Sequence, residues 1–599
     1  MIARILAAAE NGALVAALAV MALLPLAEIA LRAAFQVGVS GAAAFTQNLA
    51  LVAGMLGAVV ATREDRLLSL STLPSLLSPS AASVARQFAG MVSTAIAALL
   101  FVASIGFVLA ERTGGNVIAY GVPVWLMAAA IPAGFALIAA RLAFNAAPSW
   151  PGRIAAVVAA LVTGAAAASA LSLSGTLVVA ALGLLFSAAV LGSPVFATLG
   201  GLALILFWGD GLPIASISLD HYRVVVNPTL PMIPLFTLAG YFLAEGGAPR
   251  RLVRVCNALF GGLRGGAALV TVVACVFFTS FSGASGVTII ALGGMLMPLL
   301  AGSGYSGKAA LGLLTSAGSL GGLLPPGVPL VLYAIIARVS IEDMFLAGIL
   351  PGLLMVGLVA AWGLRQAPAQ RECRRFDARE ARAALWGAKW ELALPVVAFG
   401  GLFGGVATPV EAAALTAVYA FFIEVFVHRD LDLRRDAPRV MVQAGLLVGG
   451  ILLILGVALG LTNYLVDAQI PERAVDWVTG ALHSRWAFLL ALNLFLLVAG
   501  CFLDIFSATV VLVPILLPLG AAFGVDPVHL GIIFLANMEL GYLTPPVGMN
   551  LFFAAYRFGK PLPEVFRAVL APLCVLAAGV LLITFVPWLT TAMTKGGSL

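Results

Sequence analysis

Long apolar runs follow one another along almost the whole chain, interrupted only by short polar or basic segments. A run of about 20 apolar residues crosses the hydrocarbon core as a helix, so the pattern predicts an all-α polytopic membrane protein with about 15 transmembrane helices. The first four runs lie near 8–31, 43–62, 88–110 and 122–143. The first could pass for a signal peptide, but its apolar stretch is too long and no A-x-A-like site ends it, so it reads as a membrane helix. A bland Ala/Val run near 154–173 resembles a tether, and runs near 176–192, 195–209 and 231–245 follow. This divides the chain into a four-helix module (1–150), a connecting transmembrane helix (151–174) and a larger module (175–599).

One stretch breaks the pattern. Ser280 to Leu300 reads SFSGASGVTIIALGGMLMPLL, with small residues in the middle of an apolar run. Unwound backbone in lipid leaves polar groups that nothing there can satisfy. Loop charge supports a break at this point. Arg250, Arg251, Arg254 and Arg264 precede it, Lys308 follows it, and the next loops hold Arg365, Arg371, Arg374, Arg375, Arg379, Arg382 and Lys389, then Arg429, Arg434, Arg435 and Arg439. These loops all fall on the cytoplasmic side only if 265–300 enters and returns as a re-entrant hairpin, because basic residues favour that side. The N-terminus is then cytoplasmic and the C-terminus periplasmic.

The chain also repeats itself. A shift of 220 positions places Pro298 on Pro518, Gly304 on Gly524, Gly321 on Gly541, Pro325 on Pro545 and Pro326 on Pro546. Four full helices separate the first broken helix from the second hairpin, so SAGSLGGLLPPGVPL and NMELGYLTPPVGMN cross in opposite directions. Inverted repeats with interrupted helices (about 175–365 and 390–599) are typical of secondary transporters that bind substrate and coupling ions near the membrane midplane. The fold expected is therefore an inverted-repeat transporter with two re-entrant hairpins.

Paired prolines remove two N–H donors and free the carbonyls of the preceding turn. Free carbonyls with Ser/Thr hydroxyls suit a hard cation. The tip Ser282-Gly283-Ala284-Ser285 and its counterpart with Asp504, Ser507 and Thr509 predict two cation sites, each between a hairpin tip and a broken helix. The alternative is that the small residues only permit close helix packing.

Composition narrows the classes. Hydrophobic residues make up 62% of 599 and charged residues 10%, against about 25% charged in soluble domains. The net charge of +6 sits in inter-helix loops and does not point to nucleic acid. Five scattered cysteines (Cys256, Cys275, Cys373, Cys501, Cys574) show no metal or disulfide spacing. No GxxxxGK[ST] is present, so ATP is not the energy source. Asp504 lies in the second hairpin tip with no basic residue near in sequence; a carboxylate at that depth is costly, which makes it a functional candidate, with helix capping as its alternative role. Glu539 and Glu411 stand near helix breaks, where each can instead bond backbone N–H groups. Glu28 and Arg32 form an i, i+4 pair that reads as an interface or headgroup contact.

Several long motifs then carry a family resemblance. IPLFTLAGYFLAEGG, the hairpin and GSLGGLLPPGVPL segments, FGGVATPVEAAALTAVYAFFIEV and NMELGYLTPPVGMNLF resemble the large membrane subunit of tripartite ATP-independent periplasmic (TRAP) transporters. LALVAGMLGAVVATREDRLLSL resembles the small four-helix subunit, which marks the chain as a fused permease. The resemblance implies an elevator-type importer in the bacterial inner membrane, not an enzyme. It would be driven by two or more Na+ and fed an organic acid by a periplasmic binding protein, with no ATPase, and the small module would be a static scaffold. By motif, one Na+ site would use Ser282, Ser285, Gly321, Leu324 and Pro326, and the other Gly541, Thr544 and Val547 with oxygens of the second tip, including Thr509. Asp504, Ser282 and Ser285 would lie near substrate. Two departures stand out: the first tip reads S-G-A-S-G-V-T where the family has S-G-S-S followed by Ala and an acidic residue, and Gly327 replaces the Ser of P-P-S. A stand-alone carboxylate carrier of a related inverted-repeat family is the rival reading, and an intramembrane enzyme a more distant one.

Overall fold

The computed structural model describes residues 2–69, 77–168, 174–368, 376–405 and 407–594. Arg371, Cys373, Arg374, Arg375 and residues 169–173 of the connecting segment lie outside the described residues. Among the described residues the regular elements are helices, with two isolated β-bridges, Ser69 to Pro194 and Val117 to Pro123. Among the described residues, twelve helices are long and apolar enough to cross a membrane, or up to 13 if the bent pair Gly307–Leu323 and Val328–Ala337 is one span. This count and the expected count of about 15 cover different helices: three of the twelve, Ser285–Gly302, Arg485–Phe502 and Ile505–Ala522, are hairpin arms, and the expected count includes shorter apolar helices. Gly175–Val190, Val195–Gly209 and Met232–Glu245 each have 10–17 residues, too short at about 1.5 Å per residue to cross unaided.

The chain forms two compact units. The first comprises Met1–Pro234 and Met441–Pro471, so residues 175–234 and 441–471 group with the four-helix module instead of with the rest of 175–599. Its helices are Ile2–Phe35, Ala42–Arg63, Pro79–Gly114, Val124–Ala128, Ala130–Asn145, Trp150–Ala168, Gly175–Val190, Val195–Gly209 and Ala215–Val225, joined by most of Asp436–Asp467. Small residues seat that last helix. A methyl on Gly57 would stand 2.1 Å from the Gly445 carbonyl oxygen, and one on Gly449 would stand 2.2 Å from the Gly57 carbonyl carbon. The two backbones therefore touch, as small residues allow in lipid, where apolar side chains gain little by leaving hydrocarbon. Buried Glu10 pairs with Arg63 at 3.0 Å and with Arg141, which neutralises a charge that burial would penalise. Glu28 accepts the Val39 amide at 3.2 Å. Trp150–Ala168 packs along Pro79–Gly114 and is no free tether.

The second unit comprises Leu235–Val440 and Glu472–Leu599 and contains both hairpins. Gly266–Ser282 and Ser285–Gly302 form the first. In one continuous helix Thr279 and Thr288 would be about 13.5 Å apart along the axis. Their hydroxyls meet at 2.8 Å, so the chain reverses between them. Gly283 makes the turn at φ +66, a left-handed conformation that glycine adopts without a Cβ penalty. Arg485–Phe502 and Ile505–Ala522 form the second hairpin, closed at its base by Phe488 stacked on Phe523 with centroids 4.4 Å apart. Two short helices, Ala248–Phe260 and Ala378–Gly387, were not predicted, because their apolar residues are interleaved with charges and form no run. They are joined by Arg254 to Glu380 at 2.8 Å and by Val255 against Ala384. Arg251 anchors the first of them to Glu391, to Glu424 at 2.9 Å and to Asp430 at 2.5 Å.

Candidate functional site

Both helix breaks are present and both lean on a hairpin. In the first, Gly307–Ala317 passes into a tight 3-10 turn, Leu320–Leu323, and Val328–Ala337 resumes after Pro325-Pro326 at a bend of 42°. A methyl on Gly321 would stand 2.5 Å from both the Ser280 nitrogen and the Val276 carbonyl oxygen. A methyl on Gly283 would stand 2.7 Å from Val328. The break therefore lies directly against the first hairpin and its tip.

The second break repeats this at the same register. Pro527–Gly541 ends before Pro545-Pro546 and Met549–Phe558 resumes. A methyl on Gly541 would stand 2.5 Å from the Gly500 carbonyl carbon, and Gly500 is the 220-residue counterpart of Ser280. The Leu324 amide donates to Gly321 O at 3.1 Å, and the Thr544 amide donates to Gly541 O at 3.0 Å, again counterparts. The hairpins turn at counterpart positions too, Gly283-Ala284 and Leu503-Asp504. The halves also interlock: Ser285–Gly302 packs on Met549–Phe558, and Ile505–Ala522 packs on Val328–Ala337. The sequence repeat is thus a structural one, with two equivalent junctions between hairpin and break.

A family model described as the DctM component of the tripartite ATP-independent periplasmic transporter matches residues 180–589, and the DctQ component matches residues 21–151. The chain belongs to the TRAP transporter family. It carries the small and large permease subunits fused in one polypeptide, and it is a multi-pass inner-membrane transporter component, not an enzyme. A "C4-dicarboxylate TRAP transporter large permease protein DctM" of Pseudomonas aeruginosa is 38% identical over 400 residues, covering 66% of this chain and 92% of that protein. An "Isethionate TRAP transporter permease protein DctMQ" of Oleidesulfovibrio alaskensis is 35% identical over 402 residues, covering 66% of this chain and 63% of that protein. The solved structure of the Alcanivorax borkumensis YdaH transporter aligns with a TM-score of 0.43 at 16% identity, covering 60% of this chain and 85% of that one.

In this TRAP permease the predicted site residues fall at the two junctions. At the first, Ser282 is buried and its hydroxyl accepts the Ala284 amide at 3.4 Å, while Ser285 opens the returning arm half-buried. Leu324 is extended, and its carbonyl accepts the Gly327 amide at 2.9 Å. Leu324 and Pro325 back onto a largely apolar cavity of about 410 Å³ that Phe281, Leu353 and Phe399 help to line, where Ser280 is the polar side chain and its hydroxyl donates to Phe277 O at 2.9 Å. At the second, the Thr544 hydroxyl donates to Leu540 O at 2.9 Å, and the Thr509 hydroxyl donates to Ile505 O at 2.5 Å. Each keeps its oxygen lone pairs. Pro326 and Val547 sit in the turns that follow the breaks.

Asp504 adopts its alternative role, capping the returning arm. One oxygen accepts the Phe506 and Ser507 amides at 3.0 and 3.1 Å, and the other accepts the Ser507 hydroxyl. Its counterpart Ala284 gives the first returning arm no side-chain cap. Glu411 forms a capping box with Thr408, accepting the Thr408 amide at 2.7 Å. Two features escaped the sequence reading. The Tyr542 hydroxyl accepts the Ile505 amide at 2.8 Å, tying break to tip. Asn537 donates to Asn493 at 2.8 Å, and Thr584 donates to the same Asn493 oxygen at 3.1 Å, linking three helices. The only signal for these was a polar side chain inside an apolar run.

Proposed function

We propose that this fused permease is a sodium-coupled secondary importer of organic acid anions, taking substrate from a periplasmic binding protein and moving it by an elevator motion of the repeats. The observation that carries the reading is the matched seating of Gly321 on Ser280 and Gly541 on Gly500, which brings backbone oxygens of each break beside a hairpin. A carbonyl that accepts one hydrogen bond keeps a second lone pair. The donor set therefore fits a hard cation: Ser282, Ser285, Gly321, Leu324 and Pro326 for one Na+, and Gly541, Thr544, Val547 and Thr509 for another. Bound sodium supplies positive charge that couples the hairpin to the break.

Carboxylates are the favoured substrates. The uncapped N-terminal turn of Ser285–Gly302 leaves amides for an anion, with the Ser282 and Ser285 hydroxyls beside them. Asp504, whose oxygens are taken by the cap, acts on substrate by holding its hairpin in shape. The relatives named for C4-dicarboxylate and isethionate both handle anions by name, which supports this class. The small module serves as the static scaffold, with the N-terminus cytoplasmic and the C-terminus periplasmic.

Uptake into proteoliposomes against sodium concentration, with and without purified binding protein, tests this. Thr544→Val keeps shape and removes one neutral oxygen. It should raise the sodium requirement several-fold, consistent with the loss of about 1 kcal/mol of interaction, and leave the protein folded. Uptake equally fast without sodium, or an unchanged sodium curve for Thr544→Val, overturns the second ion site. Uptake equally fast without binding protein favours a stand-alone carrier.

A further inference from the structure

We infer that the face formed by Arg379, Arg382, Trp386 and Lys389 is a binding surface for anionic phospholipid headgroups. These residues lie in the second unit, on Ala378–Gly387 and at the start of Lys389–Phe403. Ala381 and Ala384 are buried, and Ala384 packs with Val255 of Ala248–Phe260. Spacings of three and four residues put Arg379, Arg382 and Trp386 together on the opposite face of the helix. That face is open: Trp386 is 71% exposed. Lys389 completes it, with its Nζ 3.8 Å from the centroid of the Trp386 ring and 5.1 Å from that of Trp390.

The charge and the setting of this face decide its partner. Arg379 and Arg382 form no ion pair among the described residues. The carboxylates near them in sequence are engaged elsewhere. Glu380 pairs with Arg254 at 2.8 Å, Asp377 caps the helix by accepting the Arg379 and Glu380 amides at 2.8 and 3.3 Å, and buried Glu391 pairs with Arg251. A zwitterionic headgroup would bring an ammonium that finds no carboxylate on the Trp386 face, whereas a net-negative phosphodiester meets three cations. The next helix shows what lies alongside. Leu392, Val396 and Phe403, spaced by four and seven residues, are exposed along one side of Lys389–Phe403, and Lys389 stands three residues before Leu392 at the head of that stripe. In a membrane permease such a stripe meets hydrocarbon, so the Trp386 face lies where hydrocarbon gives way to headgroups. Indole rings settle at that depth, and Arg and Lys side chains reach from it to phosphate. A soluble phosphate would gain from the cations alone; a lipid headgroup also covers Trp386.

The test is native mass spectrometry on the full permease purified in detergent, with added phosphatidylglycerol or phosphatidylcholine of identical acyl chains, and thermal melting of the same samples. The wild type should retain phosphatidylglycerol several-fold more than phosphatidylcholine, melt at a higher temperature with the first lipid only, and lose the difference at high salt. Arg379→Gln combined with Arg382→Gln should lose most of the preference. Arg434→Gln combined with Arg435→Gln, which removes the same charge from another exposed loop, should keep it. All four arginines are exposed, and melting without added lipid reads whether each double variant folds. The wild-type comparison of the two lipids needs neither variant. Equal retention of the two lipids by the wild type, equal losses in the two double variants, or stabilisation by glycerol phosphate as large as that by phosphatidylglycerol overturns the inference. None of these readouts requires transport, so their failure is distinct from failure of the sodium reading.

Discussion

Substitution of Gly541 by alanine probes the second junction most directly. The new methyl would stand 2.5, 2.6 and 2.7 Å from the carbonyl carbon, Cα and carbonyl oxygen of Gly500. Carbon atoms settle at about 3.5–4.0 Å, so the break and the hairpin arm must separate by about 1 Å. Both contact partners are backbone, and no side chain can swing aside. Overpacking of this kind costs about 1–3 kcal/mol. Cation–oxygen distances of about 2.3–2.6 Å tolerate little opening, so a cage shared between break and arm loses oxygens. If the strain falls on the bound state, the sodium half-saturation rises by roughly 5- to 150-fold, at about 1.4 kcal/mol per tenfold. The assay is sodium-dependent uptake with binding protein present, paired with sodium-dependent thermal stabilisation of the purified permease. Two comparators grade the effect. Gly500→Ala meets Gly541 Cα at 3.1 Å and Met538 Cε at 3.3 Å, so its shift should be smaller, and Gly357→Ala meets nothing within 4 Å and should bind sodium as the wild type does. A Gly541→Ala curve within twofold of the Gly357→Ala curve refutes a cage built on this contact.

Arg251→Gln removes the guanidinium shared by Glu391 and Glu424, both fully buried, leaving Glu391 beside His428 at 3.3 Å and Glu424 with the Gly247 amide at 3.1 Å, and should cost up to about 3–5 kcal/mol in stability. Arg254→Gln breaks an exposed pair with Glu380 and should leave stability close to that of the wild type, read as thermal melting of the two variants side by side. Burial raises the Asp430 pKa, but the hydrogen bond and charge of Arg251 outweigh it and hold the group below its ordinary value. That contribution is present above the ordinary carboxylate range and lost as the pH falls through the lowered value, so the gap between wild type and Arg251→Gln should narrow in acid. Asp504→Ala removes three accepted hydrogen bonds at the second tip and should lower stability by about 1–2 kcal/mol, whereas Asp504→Asn, which can still accept an amide, should lose less. If both reduce sodium-driven uptake equally at full folding, Asp504 does more than cap.

The membrane class, the two hairpins, the paired breaks and the fused-module family were legible in the chain itself. Each rests on a local signal: runs of apolar residues, two Pro-Pro pairs 220 positions apart with matched glycines, and Arg-rich loops. Such signals survive because lipid forbids unsatisfied backbone, so every departure from a plain helix must be written in residue type. The amphipathic helices Ala248–Phe260 and Ala378–Gly387 left no apolar run and became visible only through the ion pairs and apolar contacts that hold them. Asp504 reads from sequence as a functional carboxylate with capping as its alternative, since both uses need the same group, and only the placement of the Phe506 and Ser507 amides shows that it caps. The grouping of residues 175–234 and 441–471 with the N-terminal helices, and the approach of Glu539 to Gly322, are long-range facts. They depend on which helix faces meet, and in a chain where nearly every face is apolar, hydrophobic pattern does not choose among partners. Backbone contacts at glycines such as Gly57 against Gly445 and Gly541 against Gly500 make that choice, and only the folded chain brings them together.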